Sequence, residues 1–503
     1  MGRTSLFDQS PADARLLLFS SLTLVLLGCA AVYWHGNEDL WNDEIYTLQN
    51  FVFKGLPTIL TDYHAPNNHI FANVLHWAWA SLTGADFGDC LDAPWRIRLL
   101  PGLLSVLTVW ILVKTATRHW GAEAGFTAGL ILLTGISFQA FAFQVRGYPL
   151  SLLAASGLLY FALRVIEEGS FSWKNRLAVV SLTAALLWAI PSNLYFVLVV
   201  ALLTPGAALL DPKINHPQGE RLIHLRPVLW FAAAIVAGVV LAMVLYAPVL
   251  WQVLHNKYVE AGKSFQPAHW ENSEKTLRHF LSWRWLLLPG LIWGWYRILK
   301  NNTEHRPALV LLSGTLFLPF LISAARGDSA PMRSYLVQLP AFVLLTTVTC
   351  VVALQDLNAR WRHWSVLILF FICGSGYAYA VYELRQRLAE GLHDGWRYQD
   401  LNYNYYQHFY APNKEFDLFQ KKFPHKILIV ENSEPHDIPV FVRHRAIASA
   451  PIDSMLRLAR PGDTLFFSTR DGQRLIEGMQ KDWDCSCMQP ALRYPRVVVC
   501  RKK

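Results

Sequence analysis

Eleven stretches of this 503-residue chain are long and apolar, and that repetition constrains its fold more than any other feature. A helix needs roughly 20 mostly apolar residues to cross the ~30 Å hydrocarbon core of a bilayer. Runs near 15–34, 98–116, 122–143, 148–166, 177–192, 194–211, 227–249, 284–299, 307–324, 335–354 and 364–382 meet that demand, with a tight turn at Pro191-Ser192-Asn193 between two of them. Charged residues make up only 16% of the chain, where a soluble protein carries about a quarter. The first run resembles a signal peptide, and Leu27-Gly28-Cys29 faintly resembles a lipoprotein cleavage site. It is long enough to span and more spans follow, so it reads as an uncleaved anchor.

Orientation follows from the basic residues. Arg3, Arg15, Lys114, Arg118, Arg164, Lys174, Arg176, Lys213, Arg221, Arg226, Arg297, Lys300, Arg306, Arg360 and Arg362 fall on one side, whereas the long loop 35–95 holds a single basic residue, Lys54. The basic side is cytoplasmic, so the expected chain is multi-pass with a cytoplasmic N-terminus and an external C-terminus. The net charge of +9 is scattered through short connections, which excludes a nucleic-acid surface.

The expected fold is mostly α: a polytopic membrane domain of about eleven transmembrane helices over 1–382, then a small extracytoplasmic α/β domain over 383–503. KILIVE (426–431), DTLFFS (463–468) and YPRVVVC (494–500) read as short strands, with helical patterns at 452–460 and 472–483 between them. Cys485, Cys487 and Cys500 lie on the oxidising side, where one disulfide to Cys500 is expected.

The chemistry concentrates in the first loop, from Trp41 to His69. Asp43 and Glu44 stand beside a membrane edge, where carboxylates are costly to bury. About twenty residues on comes His64-Ala65-Pro66-Asn67-Asn68-His69. Asn68 to Leu82 then has helical periodicity, with Phe71, Val74, Leu75, Ala78 and Leu82 on an apolar stripe and His69, Asn73, His76 and Thr83 on another face. Its tryptophans, Trp77 and Trp79, place this helix in the membrane interface, with the polar stripe available to Asp43.

Four motifs in order resemble the GT-C superfamily of polytopic glycosyltransferases. They are Asp43-Glu44, His64-Ala65-Pro66, Arg98-Leu99-Leu100-Pro101 and Arg146-Gly147-Tyr148. The branch is the one related to dolichyl-phosphate-mannose–protein mannosyltransferases and lipid A aminoarabinose transferases, and the resemblance covers roughly 15–350. It implies an inverting transfer of a sugar from a polyprenyl-phosphate carrier to an acceptor hydroxyl on a lipid, glycan or protein, on the extracytoplasmic side of the membrane. The short connecting loops and small tail point to a bacterial inner (cytoplasmic) membrane, with transfer in the periplasm.

Such a reaction needs a carboxylate to take the acceptor's proton and cations to hold the departing phosphate. The resemblance carries the base to Asp43, with Glu44 orienting a partner or helping to bind substrate. Arg333 resembles the family's Arg-Tyr…Pro segment, although here Ser334 separates it from Tyr335. Arg326, Arg146, Tyr148, Lys257 and Tyr258 are further candidates for substrate contacts, and His64, Asn67, Asn68 and His69 for hydrogen bonds to sugar or acceptor. No cofactor is expected to be required. The alternative is a divalent metal held by His64 and His69 with Asp43, Glu44 and Asp62.

Three rival readings have their own marks. A lipid-linked-glycan flippase or transporter calls for broken polar segments at mid-membrane in corresponding halves, and the sequence has no such symmetry. A glycan polymerase or ligase calls for a large late external loop rich in Arg and His. A membrane-anchored glycan-binding protein would use the tyrosine-rich region 396–410.

Overall fold

Inside a bilayer the backbone must satisfy its own N–H and C=O groups, which leaves helices or closed barrels. This chain takes helices. The structure, a computed structural model, describes residues 22, 24–33, 36, 40–210, 221–256, 268–281, 287–326, 332–390, 427–430, 449–450, 460–462, 464–468, 482–484 and 497–503.

Numbered within those residues, α1 (Leu24–Tyr33) precedes the first loop, which holds α2 (Asn42–Asn50), α3 (Leu56–Thr61), α4 (Ile70–Thr83) and α5 (Phe87–Asp92). The membrane helices follow as α6 (Trp95–Trp120), α7 (Ala122–Leu133), α8 (Ile136–Phe141), α9 (Tyr148–Glu168), α10 (Trp173–Ala189), α11 (Leu194–Ala208) and α12 (Arg221–Tyr246). After α13 (Leu250–Leu254) and α14 (Ala268–Leu281) come α15 (Leu288–Lys300), α16 (Arg306–Arg326), α17 (Leu339–Leu354) and α18 (Ala359–Glu390).

Among the described residues, six segments are long and apolar enough to cross a membrane: Trp95–Trp120, Tyr148–Glu168, Pro191–Ala208, Leu225–Leu254, Thr303–Ala325 and Arg333–Leu354. Shorter apolar helical stretches lie at some of the other expected positions: Leu24–Tyr33, Ala122–Leu133, and Leu367–Tyr379 within α18. The chain is thus a mostly helical, multi-pass membrane protein. The segments Tyr148–Glu168 and Arg333–Leu354 form its centre, with 78% and 83% of their apolar windows buried, against 33% for Leu225–Leu254. On α12, Leu229, Val236, Val240 and Val244 remain exposed, an apolar face that calls for lipid.

The expected single span 122–143 is broken. The Thr134 hydroxyl turns back to the Leu130 carbonyl (2.7 Å), and Gly135, in extended conformation, donates its N–H to Leu132 (3.0 Å). The Gln139 amide then donates to the Leu133 carbonyl left open by the break (2.5 Å). A buried carbonyl without a partner would cost about 1–3 kcal/mol, so this side chain makes the break tolerable. The chain continues through short α8 into a turn, 142–147, that enters the site. The turn at Pro191–Asn193 is a 3₁₀ segment, closed by Asn193 donating to the Ser151 hydroxyl (2.9 Å) and the Leu186 carbonyl (3.0 Å).

Close helix approach rests on small residues. A Cβ on Gly294 of α15 would collide with the Thr349 carbonyl oxygen of α17. Towards the C-terminus, β1 (Ile427–Val430), β2 (Ser449–Ala450), β3 (Thr464–Ser468), β4 (Trp483–Asp484) and β5 (Val497–Lys502) form one sheet in the order β2-β1-β3-β5-β4. The β1 strand runs parallel to β2 and β3, while β5 is antiparallel to β3 and β4. The helical patterns expected at 452–460 and 472–483, the 396–410 region and the expected disulfide lie wholly or largely outside the described residues.

Gly294→Ala is expected to lower the thermal midpoint in detergent, by overpacking of roughly 1–3 kcal/mol against backbone that cannot yield. Gly206→Ala on α11, where a Cβ meets nothing within 4 Å, is the control and leaves the midpoint unchanged or raised. Equal midpoints for the two variants would contradict this packing.

Candidate active site

The site begins at the N-terminus of α2. Trp41 precedes it in extended conformation, and Glu44 reaches back to accept the Trp41 N–H at 2.8 Å, half of a capping box. The same carboxylate is fully buried and accepts three more hydrogen bonds. Arg98 of α6 donates through Nε (3.1 Å) and through a terminal nitrogen (2.6 Å), and the Val145 N–H donates at 2.8 Å. All of Glu44's acceptor sites are therefore in use. The sequence suggests that Glu44 orients a partner or helps to bind substrate; in this arrangement its carboxylate holds Arg98 and joins the first loop, α6 and the 142–147 turn.

Asp43 points elsewhere, because neighbouring helix positions diverge. It is half-buried, forms an ion pair with Arg146, and accepts a long contact from the Asn67 amide (3.4 Å). Arg146 also donates to the Asn67 carbonyl oxygen (3.1 Å) and lies over the Tyr148 ring at 5.2 Å. Burial pushes the Asp43 carboxyl up, but Arg146 and then Arg333 outweigh it and hold it below the usual 3.8. Arg333 lies in the 3₁₀ segment Met332–Gln338 and, among the described residues, its side chain makes no hydrogen bond or ion pair. It is a half-buried cation within electrostatic reach of Asp43 and His69.

His69 is buried at the start of α4, which begins one residue later, at Ile70. Its Nδ1 accepts the Gly147 N–H at 2.7 Å, so a neutral ring carries its proton on Nε2. Burial, helped by Arg146 and Arg333, keeps its pKa well below 6.5. A Cβ at Gly147 would come within 3.0 Å of this ring and of Ile190, so glycine is what allows the contact. Asn68, also fully buried, donates to the Ile59 (2.9 Å) and Asp62 (2.7 Å) carbonyls and accepts from Asn73 (2.9 Å). It shapes the loop.

Of the polar stripe of α4, His69, Asn73 and His76 are buried, whereas Thr83 is exposed, as is Leu82. His76 donates from Nδ1 to the Ala72 carbonyl (2.6 Å), and burial pushes its pKa down to about 4. Gly84 closes the helix in left-handed conformation (φ 66°). His64 lies on the exposed side of the loop, between Tyr46 and Asp62.

The structure therefore brings together Asp43, Asn67, Arg146 and Arg333, with His69 and Tyr148 behind them. Tyr335 is placed differently, since its hydroxyl donates to Ser323 at 2.7 Å inside the helical core. Arg326 ends α16 with its side chain outside the described set, and Lys257 and Tyr258 lie outside the described residues. No group of three or more His, Cys, Asp or Glu side chains that could hold a metal occurs among the described residues. Arg98 is legible in the sequence only as part of a motif, because its partner Glu44 is 54 positions away. Nothing in the sequence singles out Tyr46, although it stands one helical turn from Asp43.

A scan of protein-family models and a search of curated proteins found no match. Solved structures did match, and they share the fold of this chain. The structure of ArnT from Cupriavidus metallidurans bound to undecaprenyl phosphate superposes with a TM-score of 0.51 at 14% identity, covering 96% of this chain and 97% of that one. The apo structure of the same protein gives 0.50 at 15%, covering 98% of each chain.

Glu44→Gln is expected to leave the Arg98 guanidinium without its counter-charge, at about 3–5 kcal/mol, seen as lost folded yield or a large drop in thermal midpoint. Asp43→Asn, at a partly exposed site, is expected to fold. Because the folded-state pKa of Asp43 is depressed, its ion pair stabilises fully above the usual carboxylate range and is lost only as pH falls through the lowered value. The midpoint difference between wild type and Asp43→Asn should then stay constant from about pH 5.5 to 8, as read by differential scanning fluorimetry; a difference that titrates within that window would refute the assignment.

Proposed function

We propose that this protein is an inverting glycosyltransferase that moves a sugar from a polyprenyl-phosphate carrier to an acceptor hydroxyl, with Asp43 as general base. The observation that carries this reading is one half-buried carboxylate, Asp43, flanked by the cations Arg146 and Arg333, in a fold shared with ArnT. The neighbour's bound undecaprenyl phosphate supports a lipid-phosphate donor here.

The chemistry follows from charge. A polyprenyl-phospho-sugar is a phosphodiester with one negative charge, and its leaving phosphate gains another as the anomeric C–O bond breaks. Arg333, a guanidinium with no ion pair among the described residues, suits that developing charge and can bind phosphate through two N–H groups. Asp43 takes the acceptor's proton as the new C–O bond forms. Its depressed pKa makes it a weak base in the resting ion pair, so an arriving phosphate that draws on Arg146 would raise its basicity. Attack opposite the phosphate inverts the anomeric centre.

This reading includes the eleven-span topology, an α/β external domain from 383 onward, and placement in a bacterial inner membrane with the site on the periplasmic side. A metal is not required by the scheme.

Purified wild type and Asp43→Asn, in nanodiscs, would be incubated with radiolabelled polyprenyl-phosphate sugars and a membrane extract as acceptor source. Transfer by wild type that falls at least 100-fold in Asp43→Asn, with donor binding retained, is the expected result for loss of a general base. Arg333→Ala should instead weaken donor binding. Donor binding without transfer by wild type would favour the flippase reading.

A further inference from the structure

The end of α6 farthest from the site carries charge that the site does not use. Lys114 is exposed there. At ~1.5 Å per residue it stands about 24 Å along the helix from Arg98, most of the depth of a hydrocarbon core. Its ammonium lies over two rings, Trp110 at 4.7 Å and Tyr160 of α9 at 5.6 Å. Among the described residues it makes no hydrogen bond or ion pair. Ring faces attract a cation, yet they leave its charge and its N–H donors without an anion.

One turn further on, Arg118 is also exposed and shares the Glu168 carboxylate with Arg164, which binds it at 2.8 Å. One turn of α9 likewise separates Tyr160 from Arg164, so the two helices present their polar groups side by side. The neighbouring Glu167 is turned to His119 (3.1 Å), and Glu123 makes no ion pair with these cations among the described residues. Three cations therefore meet one carboxylate, and the patch keeps a positive excess.

The same face of α6 is apolar up to this point. Leu99, Leu103, Leu107 and Trp110 precede Lys114 at helical spacing and are all exposed, so the row meets lipid along the span. A lone interfacial lysine needs no ligand, since it can reach out to water. The rings of Trp110 and Tyr160 hold this one instead, beside a second cation and at the end of an apolar row. Basic pockets between membrane helices bind lipid head groups with such a combination. A zwitterionic head group would bring a further cation to a patch already in excess. An anionic phospholipid brings only the charge that is missing.

We propose that this corner of α6 and α9 binds one anionic phospholipid. Its phosphate lies against Lys114, a point charge, and against Arg118, which keeps N–H donors beyond the one given to Glu168. An acyl chain follows Leu107, Leu103 and Leu99 along α6. This lipid site lies at the opposite end of α6 from Asp43 and is independent of the transferase reading.

Full-length protein, purified in detergent and washed free of co-purified lipid, would be titrated separately with phosphatidylglycerol and phosphatidylcholine of the same acyl chains. Bound lipid is counted by native mass spectrometry. The first phosphatidylglycerol should bind wild type about 10-fold or more tightly than phosphatidylcholine, as expected for two basic residues at one head group. Lys114→Ala and Arg118→Ala are each expected to weaken it about 5-fold, the scale of a single basic residue, with phosphatidylcholine binding unchanged. Lys114→Arg should keep most of the affinity. Lys300→Ala removes another lysine beside a ring, 5.4 Å from that of Tyr296 on α15, and should leave binding as in wild type. Equal affinity of wild type for the two lipids overturns the site. So does an equal loss in Lys300→Ala, because charge would then act diffusely across the face. Arg118→Ala loses an ion pair, so its thermal midpoint is measured alongside; if it fails to fold, Lys114→Ala, at an exposed position, decides alone.

Discussion

The Glu44 carboxylate, buried without solvent, is the interaction on which the site depends. Removing a charge from water costs several kcal/mol, and the cost is tolerable only with full hydrogen bonding and a counter-charge. Glu44 has both: two N–H groups of Arg98, the N–H of Trp41 and the N–H of Val145. These four bonds tie the start of α2, the start of α6 and the 142–147 turn to one point. Because the turn is held at Val145, the next two residues reach their partners, Arg146 against Asp43 and Gly147 against His69. One buried charge thereby sets the geometry around a half-buried one.

Much of this is legible in the sequence, and the limits have physical causes. Apolar runs announce the helices, since backbone satisfaction in lipid leaves few alternatives. Adjacent Asp43 and Glu44 are expected to diverge, because successive helix positions do. Which of them turns inward depends on Arg98, and a partner so distant in sequence leaves no local signal. The 122–143 stretch looks continuous because hydropathy does not register that Thr134 and Gly135 end a helix, or that Gln139 serves the carbonyl they free.

Arg333 and Tyr335 look like one motif in the sequence, yet a 3₁₀ segment turns about 120° per residue, sending residues two apart in different directions. Arg333 acts on Asp43 and Tyr335 points to Ser323. Asn68 and His69 have the side chains of substrate-binding residues, but burial gives them to the loop and to Gly147.

Helix α4 turns Asn73 and His76 towards protein, packs Phe71, Val74 and Leu75 on neighbouring side chains, and leaves the apolar Ala78 and Leu82 exposed. Its orientation is therefore determined by two solvents at once: a polar, protein-built one around Asn73 and His76, and an apolar one against Ala78 and Leu82. Water in place of the second would favour turning the helix over, and that rotation would carry the loop's polar anchors out of register. The order of the site is in this sense a property of the interface, maintained by the lipid on one side as much as by the hydrogen bonds on the other.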